Sequence, residues 1–532
     1  MSTRFETDVA QYADTIAEII GEVQAREQFN AEALRAILRR YPRDGRGMFS
    51  KNLLVRTYKH LCETGRMTFD DRTLQRLRMK PTRTISGVAP VTVLTKPYPC
   101  PGKCIFCPTD VRMPKSYLRD EPGAMRAEQH EFDPYRQTAA RIHTFDTNGH
   151  PTDKIELLIL GGTWSSYRRD YQEWFVRRCL DAMNGRDSET LEQAQARNET
   201  ARRRNVGLVI ETRPDHVTPD EIHWLRRLGV TKVQMGAQTL DDRVLALNNR
   251  GHTVDETRRA MTLLRAAGFK TVLHWMPNLL GATPESDRAD FARLWDDPGL
   301  RPDEIKIYPC SLLANAELYA YWQRGEYQPY DDDTLIDLVR ACKRETPRYC
   351  RINRVYRDIP APNIVAGSKV SNLRQVVQRD MTARGEQCRC IRCREVRGGG
   401  VHGPLQLHDV QYKTRASTEY FLSFDTADGK LAGYLRLSLP DRTPDLDLPE
   451  LRGAALVREV HVYGPPVAIG ARANGRAQHR GLGTQLLAEA ERLAAGQGFS
   501  RMAVIASIGT REYYAGRGYT LAGTYMVKKL NE

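Results

Sequence analysis

Apolar residues recur at helical spacing through the first 80 residues of the chain. In IAEIIGEV and AEALRAILRRY they stand three to four positions apart, which places them along one face of a helix. The segment YPRDGRG interrupts this pattern and SKNLLVRTYKHL resumes it. We therefore predict a helical segment over residues 1–80.

From residue 81 to about residue 350, short apolar runs alternate with amphipathic stretches. Six runs predict β-strands: ISGVAPVTVLT (85–95), IELLILGG (155–162), VGLVIET (206–212), KVQMGAQ (232–238), KTVLHWM (270–276) and EIKIYPC (304–310). The stretches between them, such as PDEIHWLRRLG and VDETRRAMTLLRAAG, predict helices that end at glycine. This alternation indicates an α/β fold, a parallel sheet that curls into a partial or complete barrel. We assign this domain to residues 81–375, with its chemistry at the carboxyl ends of the strands.

The alternation stops after about residue 350. RVYRDIPAPNIVAGSKVSNLRQ predicts irregular structure, and CRCIRCREVRGGGVHGP is interpreted as part of a linker over residues 376–412. YFLSFDTADGKLAGYLRLSL then predicts two strands joined at Asp428-Gly429, a strong hairpin signal. A strand, a helix, another strand and the short helix TREYYAGRGY follow, which indicates an α+β domain over residues 413–532.

With 532 residues the chain is long enough for two or three substantial cores. Its first residues carry acids throughout and lack the apolar stretch of a signal peptide. No run reaches the roughly 18–20 apolar residues that a membrane span needs. We therefore predict a cytoplasmic protein without membrane association, in which clustered thiols stay reduced and bind metal more often than they form disulfides.

Positive charge is concentrated near the start of the chain. The formal net charge is +14, and between Arg35 and Lys96 fifteen Lys or Arg stand against four Asp or Glu, an excess of eleven positive charges. Such an excess suggests a polyanionic partner. A solvated helical face that only aids solubility explains the charge equally well.

Three cysteines follow the first predicted strand within eight residues. Cys100, Cys104 and Cys107 have the spacing C-x3-C-x2-C. Three thiolates can hold three irons of a [4Fe–4S] cluster and leave the fourth iron open. S-adenosylmethionine can chelate that open iron and yield a 5′-deoxyadenosyl radical on reduction. The alternative is structural zinc, which would need a fourth ligand, and the sequence offers no obvious one nearby.

The cysteine triplet and the six strand–helix units resemble the radical S-adenosylmethionine superfamily and its partial (β/α)6 barrel. The resemblance assigns cofactor or substrate contacts to residues at later strand ends: Gly161, Gly162, Thr163, Glu211, Gln234 and Gln238, with His274 and Asn278 as weaker candidates. Ordinary turn chemistry and locally satisfied polar groups are the alternatives.

A glycine-rich turn opens the predicted helix of the last domain. Gln478, His479, Arg480, Gly481, Leu482 and Gly483 form Q-x-x-G-x-G, and a helix N-terminus without bulky side chains can hold phosphate. With the surrounding strands, the turn resembles the pyrophosphate loop of GNAT acetyltransferases; a simple glycine turn is the alternative.

The GNAT resemblance implies further contacts with acetyl-CoA. The strand around Val460, His461 and Val462 would pair with the pantetheine amide, and a tyrosine would act as general acid on the coenzyme sulfur. Tyr514 is the preferred catalytic residue and Tyr513 the second candidate, with packing in the core as the alternative for either. The long segment GPPVAIGARANGRA is expected to lie over the acetyl site until a partner binds.

A second group of thiols lies in the predicted linker. Cys388, Cys390 and Cys393 have the spacing C-x-C-x2-C, and a tetrahedral zinc would need one more ligand. Cys310 is the preferred fourth ligand. The rivals are His402, His408 and Cys350, and unliganded reduced thiols are the alternative to zinc. Cys62, Cys179 and Cys342 lie on helical faces and are predicted to be core residues.

The whole chain resembles the catalytic subunit family of Elongator in its single-chain prokaryotic form, because a radical domain precedes a GNAT domain and C-x3-C is tighter than in eukaryotic relatives. The resemblance implies formation of 5-carboxymethyluridine at the wobble position of tRNA from acetyl-CoA by a radical mechanism. It also implies binding of the anticodon stem-loop without other Elongator subunits, as a monomer or homodimer with an unidentified electron donor. The tRNA contacts are assigned to Arg39, Arg40, Arg43, Arg46, Lys51, Arg56 and Lys59.

Two other functions remain open from the sequence. A protein lysine N-acetyltransferase with a structural iron–sulfur cluster would need the same glycine turn. A non-catalytic RNA-binding scaffold would need only the basic segment.

Overall fold

The computed structural model describes residues 9–397, 403–441, 444, 446–464 and 481–530. Within these ranges no helix combines the length and the apolar character that crossing a membrane requires.

Helices make up most of the described part of the first unit, as their apolar spacing predicts. They are α1 (Ala13–Ala25), α2 (Ala31–Arg40), α3 (Lys51–Glu63) and α4 (Asp71–Leu77). Asn30 and Ser50 cap two of them, because their side chains accept backbone N–H groups of the first turn. The helices bury a core of their own around Ile16, Ile20 and Leu54. This unit is therefore a separate small helical domain.

A curled, wholly parallel sheet forms the central unit. Its strands, in spatial order, are β1 (Ala89–Leu94), β2 (Lys154–Leu160), β3 (Arg204–Thr212), β4 (Lys232–Gln238), β5 (Lys270–Trp275), β6 (Glu304–Ile307) and β8 (Arg351–Arg354). The six predicted strands are confirmed, but the prediction that the strand–helix alternation stops at about residue 350 is wrong, because β8 adds a seventh strand. In the sequence RINR only Ile352 is fully buried, so this edge strand lacks an apolar run.

Helices cover the outer face of the sheet, and its inner face surrounds a cavity. On β2, Ile155 and Leu157 pack under the helices, whereas Glu156 and Leu158 line the interior. The helices of this unit and of the segment after it are α5 (Pro122–Gln129), α6 (Pro134–Thr147), α7 (Arg169–Asn184), α8 (Leu191–Thr200), α9 (Pro219–Leu228), α10 (Asp242–Leu247), α11 (Val254–Ala266), α12 (Pro284–Asp296), α13 (Leu318–Gln323), α14 (Asp332–Glu345), α15 (Leu373–Ala383) and α16 (Ile391–Arg394). The short strands β7 (Leu312–Leu313) and β9 (Ile364–Ala366) pair separately.

A second seven-stranded sheet forms the last unit. Its strands are β10 (Leu405–Lys413), β11 (Ser417–Thr426), β12 (Leu431–Pro440), β13 (Ala454–Val462), β14 (Arg501–Val504), β15 (Thr520–Ala522) and β16 (Tyr525–Lys529), with helices α17 (Leu482–Gly496) and α18 (Arg511–Ala515). Neighbours are antiparallel except β13 and β14, which run parallel. The hairpin at Asp428-Gly429 is confirmed, with Gly429 at φ +76°.

The predicted linker over residues 376–412 is largely structured, which corrects that assignment. It contains most of α15, all of α16 and the greater part of β10. β10 is an edge strand with mostly exposed side chains, so its sequence carries few apolar residues and resembles a linker.

A buried cluster of charges joins the two sheets. Asp303, directly before β6, accepts hydrogen bonds of 2.7 Å at both carboxylate oxygens from Arg458 of β13. Arg458 also donates to Glu419 at 2.7 Å, and Arg436 and Arg265 approach Asp303 to 3.3 and 3.9 Å. The cluster lies at the amino ends of the barrel strands. The second sheet therefore closes that end of the half-barrel.

We predict that Asp303→Ala destabilises the protein by about 3–5 kcal/mol, because it leaves buried arginines without their counter-charge. Burial alone would raise the pKa of Asp303, but the charges of Arg458 and Arg436 hold it well below its usual range. Its stabilising contribution should therefore be complete above about pH 4 and fall in more acidic solution. Denaturant unfolding at several pH values measures both effects.

The matched control is Arg452→Ala, which removes the exposed ion pair between Arg452 and Asp447. This change should cost no more than about 1 kcal/mol. Equal destabilisation by the two substitutions would contradict the role given to Asp303.

Candidate functional site

The cysteine triplet lies in the loop after β1, at the carboxyl end of the barrel. The sulfur of Cys100 is 3.7 Å from the hydroxyl of Thr163, which follows β2, and Cys104 accepts a hydrogen bond of 3.4 Å from Arg250. Contact with Cys107 and the charge of Arg250 lower the pKa of Cys104, whereas Cys104 and burial raise the pKa of Cys107. Cys104 is therefore the first of this pair to become a thiolate.

The sulfurs of Cys100, Cys104 and Cys107 do not all lie as close to one another as the ligands of a single metal ion. Among the described residues, the group whose candidate ligand atoms all lie within 4.8 Å of one another is Cys388, Cys390 and Cys393, and it does not include the triplet. In a [4Fe–4S] cluster each cysteine binds a different iron, so its sulfurs need not approach one another as closely as the ligands of a single ion. The triplet fits a cluster better than a single zinc.

The turn after β2 needs glycine for two reasons, which are its backbone angles and the atoms packed against it. Gly161 and Gly162 have φ of +145° and +93°. A Cβ atom on Gly161 would lie 1.8 Å from the hydroxyl of Thr95, which is itself 2.7 Å from the hydroxyl of Tyr167. A side chain at Gly161 would therefore displace the turn that brings Thr163 to Cys100.

Three of the predicted strand-end residues meet in the barrel mouth. His274 lies 3.1 Å from the amide oxygen of Gln234 and 3.7 Å from a carboxylate oxygen of Glu211, which also accepts from Tyr117 at 3.3 Å. Lys306, which was not predicted from the sequence, donates to the same oxygen of Gln234. Burial and the charge of Lys306 lower the pKa of His274 well below its usual value, and burial lowers that of Lys306 to about 8.

A signal for Lys306 is present in the sequence, because the strand EIKI alternates charged and apolar residues. That alternation places Glu304 and Lys306 together on the inner face.

Gln238 and Asn278 have different surroundings. Gln238 lines the interior, and its side-chain oxygen is buried without a hydrogen-bond partner among the described residues. Asn278 is buried, donates its backbone N–H to Asp287 and accepts from Tyr327. It supports a turn behind the mouth and does not line the cavity.

One cavity of about 1540 Å³ runs through the half-barrel into the last unit. Cys107 and Lys306 line it at the mouth, and Glu304 lines it further in. In the last unit, His461 of β13 and Tyr514 of α18 line it. The interior of the barrel is therefore continuous with the site predicted on the last domain.

The two candidate tyrosines lie in different environments. Tyr514 is buried at the cavity wall, and burial raises the pKa of its hydroxyl above the usual value. Tyr513 is 37% exposed. A Cβ atom on Gly483 would lie 2.7 Å from the Tyr513 hydroxyl, so Tyr513 contacts the first turn of α17 outside the cavity.

The rest of the predicted acetyl-CoA site is only partly described. Gly481, at φ +68°, precedes α17, and Leu482 is buried, whereas Gln478, His479 and Arg480 lie outside the described residues, as does most of the segment GPPVAIGARANGRA. Val460 and His461 line the cavity, and Val462 pairs with Gly433 of β12. Burial lowers the pKa of His461 to about 4.

Cys310 does not join the second thiol group, which corrects the predicted ligand set. It is buried in an apolar cluster with Ile105 and Leu312 beneath the first triplet. Of the rivals, Cys350 accepts the backbone N–H of Ile391 at its carbonyl and is buried. His408 lies on an exposed stretch of β10, and His402 lies outside the described residues. Cys179 and Cys342 are buried and Cys62 is half-buried, as expected for helical faces.

The predicted tRNA-binding residues differ in how exposed they are and in what they contact. Arg39 and Arg46 are exposed, Arg40 pairs with Glu22, and Arg43 stacks on Tyr12 at 4.9 Å. Lys59 instead donates to the carbonyl of Asp146 on α6 at 2.8 Å. Lys51 and Arg56 are half-buried. The exposed charge is therefore concentrated at the end of α2 and in the loop after it.

Comparisons with known proteins agree with this geometry. Residues 98–294 match the radical SAM superfamily, and residues 302–383 match the radical SAM C-terminal domain. The curled sheet and its cysteine loop thus define a radical SAM protein.

The similarity extends over most of the chain. It is 44% identical over 458 residues to the tRNA uridine(34) acetyltransferase of Dehalococcoides mccartyi (strain CBDB1), covering 85% of this chain and 100% of that protein. It is 36% identical over 476 residues to Elongator complex protein 3 of Homo sapiens, covering 86% and 87%. The solved structure of Methanocaldococcus infernus Elp3 with an N-terminal deletion (1–46) matches with a TM-score of 0.74 at 39% identity, covering 84% of this chain and 100% of that one. The chain belongs to the family of tRNA uridine(34) acetyltransferases and Elongator complex protein 3.

We predict that Gly161→Ala destabilises the protein by about 1–3 kcal/mol more than Gly185→Ala, because both positions have positive φ but only Gly161 lacks space for a Cβ. Gly185 ends α7 at φ +66°, and a Cβ atom added there would have nothing within 4 Å. Thermal unfolding of both variants measures the difference. Equal melting temperatures would show that the Thr95 contact does not restrict the turn.

Proposed function

We propose that this protein forms 5-carboxymethyluridine at the wobble position of tRNA, with acetyl-CoA as the source of the added carbon atoms. The observation that carries the proposal is the single cavity that reaches both Cys107 in the barrel mouth and Tyr514 on α18 of the last unit. The cysteine loop of the barrel and the proposed acetyl-CoA site of the last domain thus lie on the same cavity. Relatives named tRNA uridine(34) acetyltransferase, at 43–44% identity, support the same assignment.

Cys100, Cys104 and Cys107 are proposed to hold a [4Fe–4S] cluster that, with S-adenosylmethionine on its open iron, supplies a 5′-deoxyadenosyl radical. The donor set suits this role, because the pKa of Cys104 is lowered and the glycine turn holds Thr163 against Cys100. A radical route is needed because the uracil C5 atom is a poor target for polar acylation.

The polar residues of the mouth are proposed to orient the cofactor and the uracil. Glu211 offers a carboxylate, Gln234 an amide, and His274 a neutral imidazole, since its pKa is lowered. Lys306 is mostly protonated at neutral pH with a pKa of about 8, and can donate to a carbonyl. Gln234 is hydrogen-bonded to both His274 and Lys306, so these three restrain one another, and Glu211 lies 3.7 Å from His274.

Acetyl-CoA is proposed to lie between β13 and α17. Pairing of β13 with β14 ends at Val457, which leaves the backbone around Val460 accessible to a pantetheine amide. The first turn of α17, after Gly481, offers backbone N–H groups for the pyrophosphate. Tyr514 keeps its proton because burial raises its pKa, and it is the proposed general acid toward the coenzyme sulfur.

The tRNA anticodon loop is proposed to contact the basic end of the helical domain. Arg39 and Arg46 are exposed there and can bind phosphate without breaking an internal salt bridge that the structure describes. A wobble base in a single-stranded loop leaves its stack at a cost of only a few kcal/mol. A tRNA substrate and reduced thiols are consistent with a cytoplasmic enzyme.

We predict that Cys104→Ser abolishes uridine modification, whereas Cys179→Ser, which changes a buried thiol on α7, does not. The protein is incubated anaerobically with tRNA, acetyl-CoA, S-adenosylmethionine and reductant, and tRNA nucleosides are analysed by mass spectrometry.

Loss of a general acid in Tyr514→Phe should slow the reaction about 10²-fold or more in the same assay, with Tyr513→Phe as its control. Acetylation of protein lysines without any uridine product would instead support an N-acetyltransferase and overturn the proposal.

We further propose that Cys388, Cys390 and Cys393 hold a zinc ion. Their sulfurs lie within 4.8 Å of one another, as the ligands of one tetrahedral ion must. Lys343 and Arg374 lie nearby. Lys343 donates to Gln378, whose side-chain oxygen is 4.0 Å from Cys393. Burial lowers the pKa of Arg374, and the charges of the three thiols oppose that shift. This positive charge favours thiolates.

Cys390→Ser should remove one zinc per chain as measured by metal analysis, whereas Cys342→Ser on α14 should keep it. A wild-type protein without zinc after removal of the iron–sulfur cluster would contradict this assignment.

A further inference from the structure

Arg213 follows β3 and is 5% exposed. Two of the three guanidinium nitrogen atoms of Arg213 donate hydrogen bonds to Asp215. The Nε atom donates to both Asp215 oxygens at 2.9 and 3.2 Å, and Nη2 donates to Asp215 at 2.9 Å and to the carbonyl of Gly251 at 3.2 Å. The guanidinium plane is therefore fixed.

The third nitrogen, Nη1, is buried without a hydrogen-bond partner among the described residues. It points into the cysteine loop, because a Cβ atom on Gly102 would lie 2.4 Å from it and 3.6 Å from the sulfur of Cys100. A buried guanidinium N–H without a partner is costly. The fixed guanidinium and its Nη1 donor without a described partner together indicate that a hydrogen-bond acceptor binds in this loop.

A second arginine beside the loop adds positive charge, whereas the nearby imidazole of His252 is neutral. Arg250, 7% exposed, donates to Cys104 at 3.4 Å and to the carbonyl of Gly236 at 2.7 Å. His252 is buried next to both arginines with neither ring nitrogen hydrogen-bonded to a described residue, and burial lowers its pKa to about 3. Both carboxylate oxygens of Asp215 are hydrogen-bonded to Arg213.

We propose that Arg213 is a positioning residue for the iron–sulfur cluster, to which its Nη1 atom donates at a sulfur, and that it thereby raises the reduction potential of the cluster. The inference rests on the proposed cluster at the triplet, but not on the identity of the substrate. Reduction adds negative charge to a site that already carries three thiolates. A fixed N–H donor and a nearby positive charge stabilise the reduced state more than the oxidised state.

The test is the midpoint potential of the cluster in anaerobically prepared full-length protein, measured by a redox titration followed by electron paramagnetic resonance. Arg213→Gln should shift the potential to more negative values, and Arg213→Lys, which keeps the charge without the fixed fork, should shift it less. The control Arg243→Gln removes an exposed arginine that donates to the carbonyl of Gly281, and its potential should equal that of the wild type.

An unchanged potential in Arg213→Gln with normal iron content would overturn the inference. If that variant retains no iron, the Arg213→Lys protein decides: a negative shift supports the role and a wild-type potential overturns it. Wild-type protein without an iron–sulfur signal would overturn both the cluster and this role. Wild-type protein with a cluster but no uridine product would overturn only the proposed function.

Discussion

The carboxylate of Asp303 is fully removed from solvent, and arginines from two domains neutralise it. Arg458 binds both of its oxygens, while Arg436 and Arg265 lie within 4 Å. A buried charge without its partners costs several kcal/mol, so the second sheet cannot move away from the half-barrel without leaving this cluster unpaired. The position of the second sheet, and with it the closure of the barrel at the amino ends of its strands, depends on this contact.

Pairing of buried charges continues along the barrel interior. Lys232 bridges Glu156 at 2.6 Å and Glu304 at 3.4 Å, and Lys270 joins Glu304 at 3.3 Å to Glu459 of the second sheet. A complete barrel fills its interior with branched apolar side chains. Here paired charges line the wall and leave a cavity, which is the common space that the proposed function requires for a uracil base and a thioester.

Close packing around two glycines positions the loops at the mouth of this cavity. Gly161 avoids a clash with Thr95, and Gly102 leaves space for the guanidinium of Arg213. These glycines are required by close packing around the cysteine loop. The loop can therefore be positioned before any cofactor binds, with Cys104 already favoured as a thiolate by Cys107 and Arg250.

Local patterns in the sequence determined the elements and the first metal site. Strands such as IELLILGG are continuous apolar runs, and the cysteine triplet directly follows one of them, so both were predictable from neighbouring residues. The strand RINR and the polar edge strand β10 were missed, because each exposes most of its side chains to some degree and so carries no apolar run. Cys310 was assigned to the wrong group, since spacing along the chain does not show which loops meet at the barrel mouth.

Only the tertiary structure decided which charges pair. Lys306 joins Gln234 across 72 positions, and Arg458 joins Asp303 across 155. The local alternation in EIKI places Lys306 on the inner face of β6, but it does not identify the partner, because the energy that pairs two buried polar groups arises only when both leave water together. The sequence therefore specified the residues of the two predicted sites, and the fold specified that one cavity reaches both.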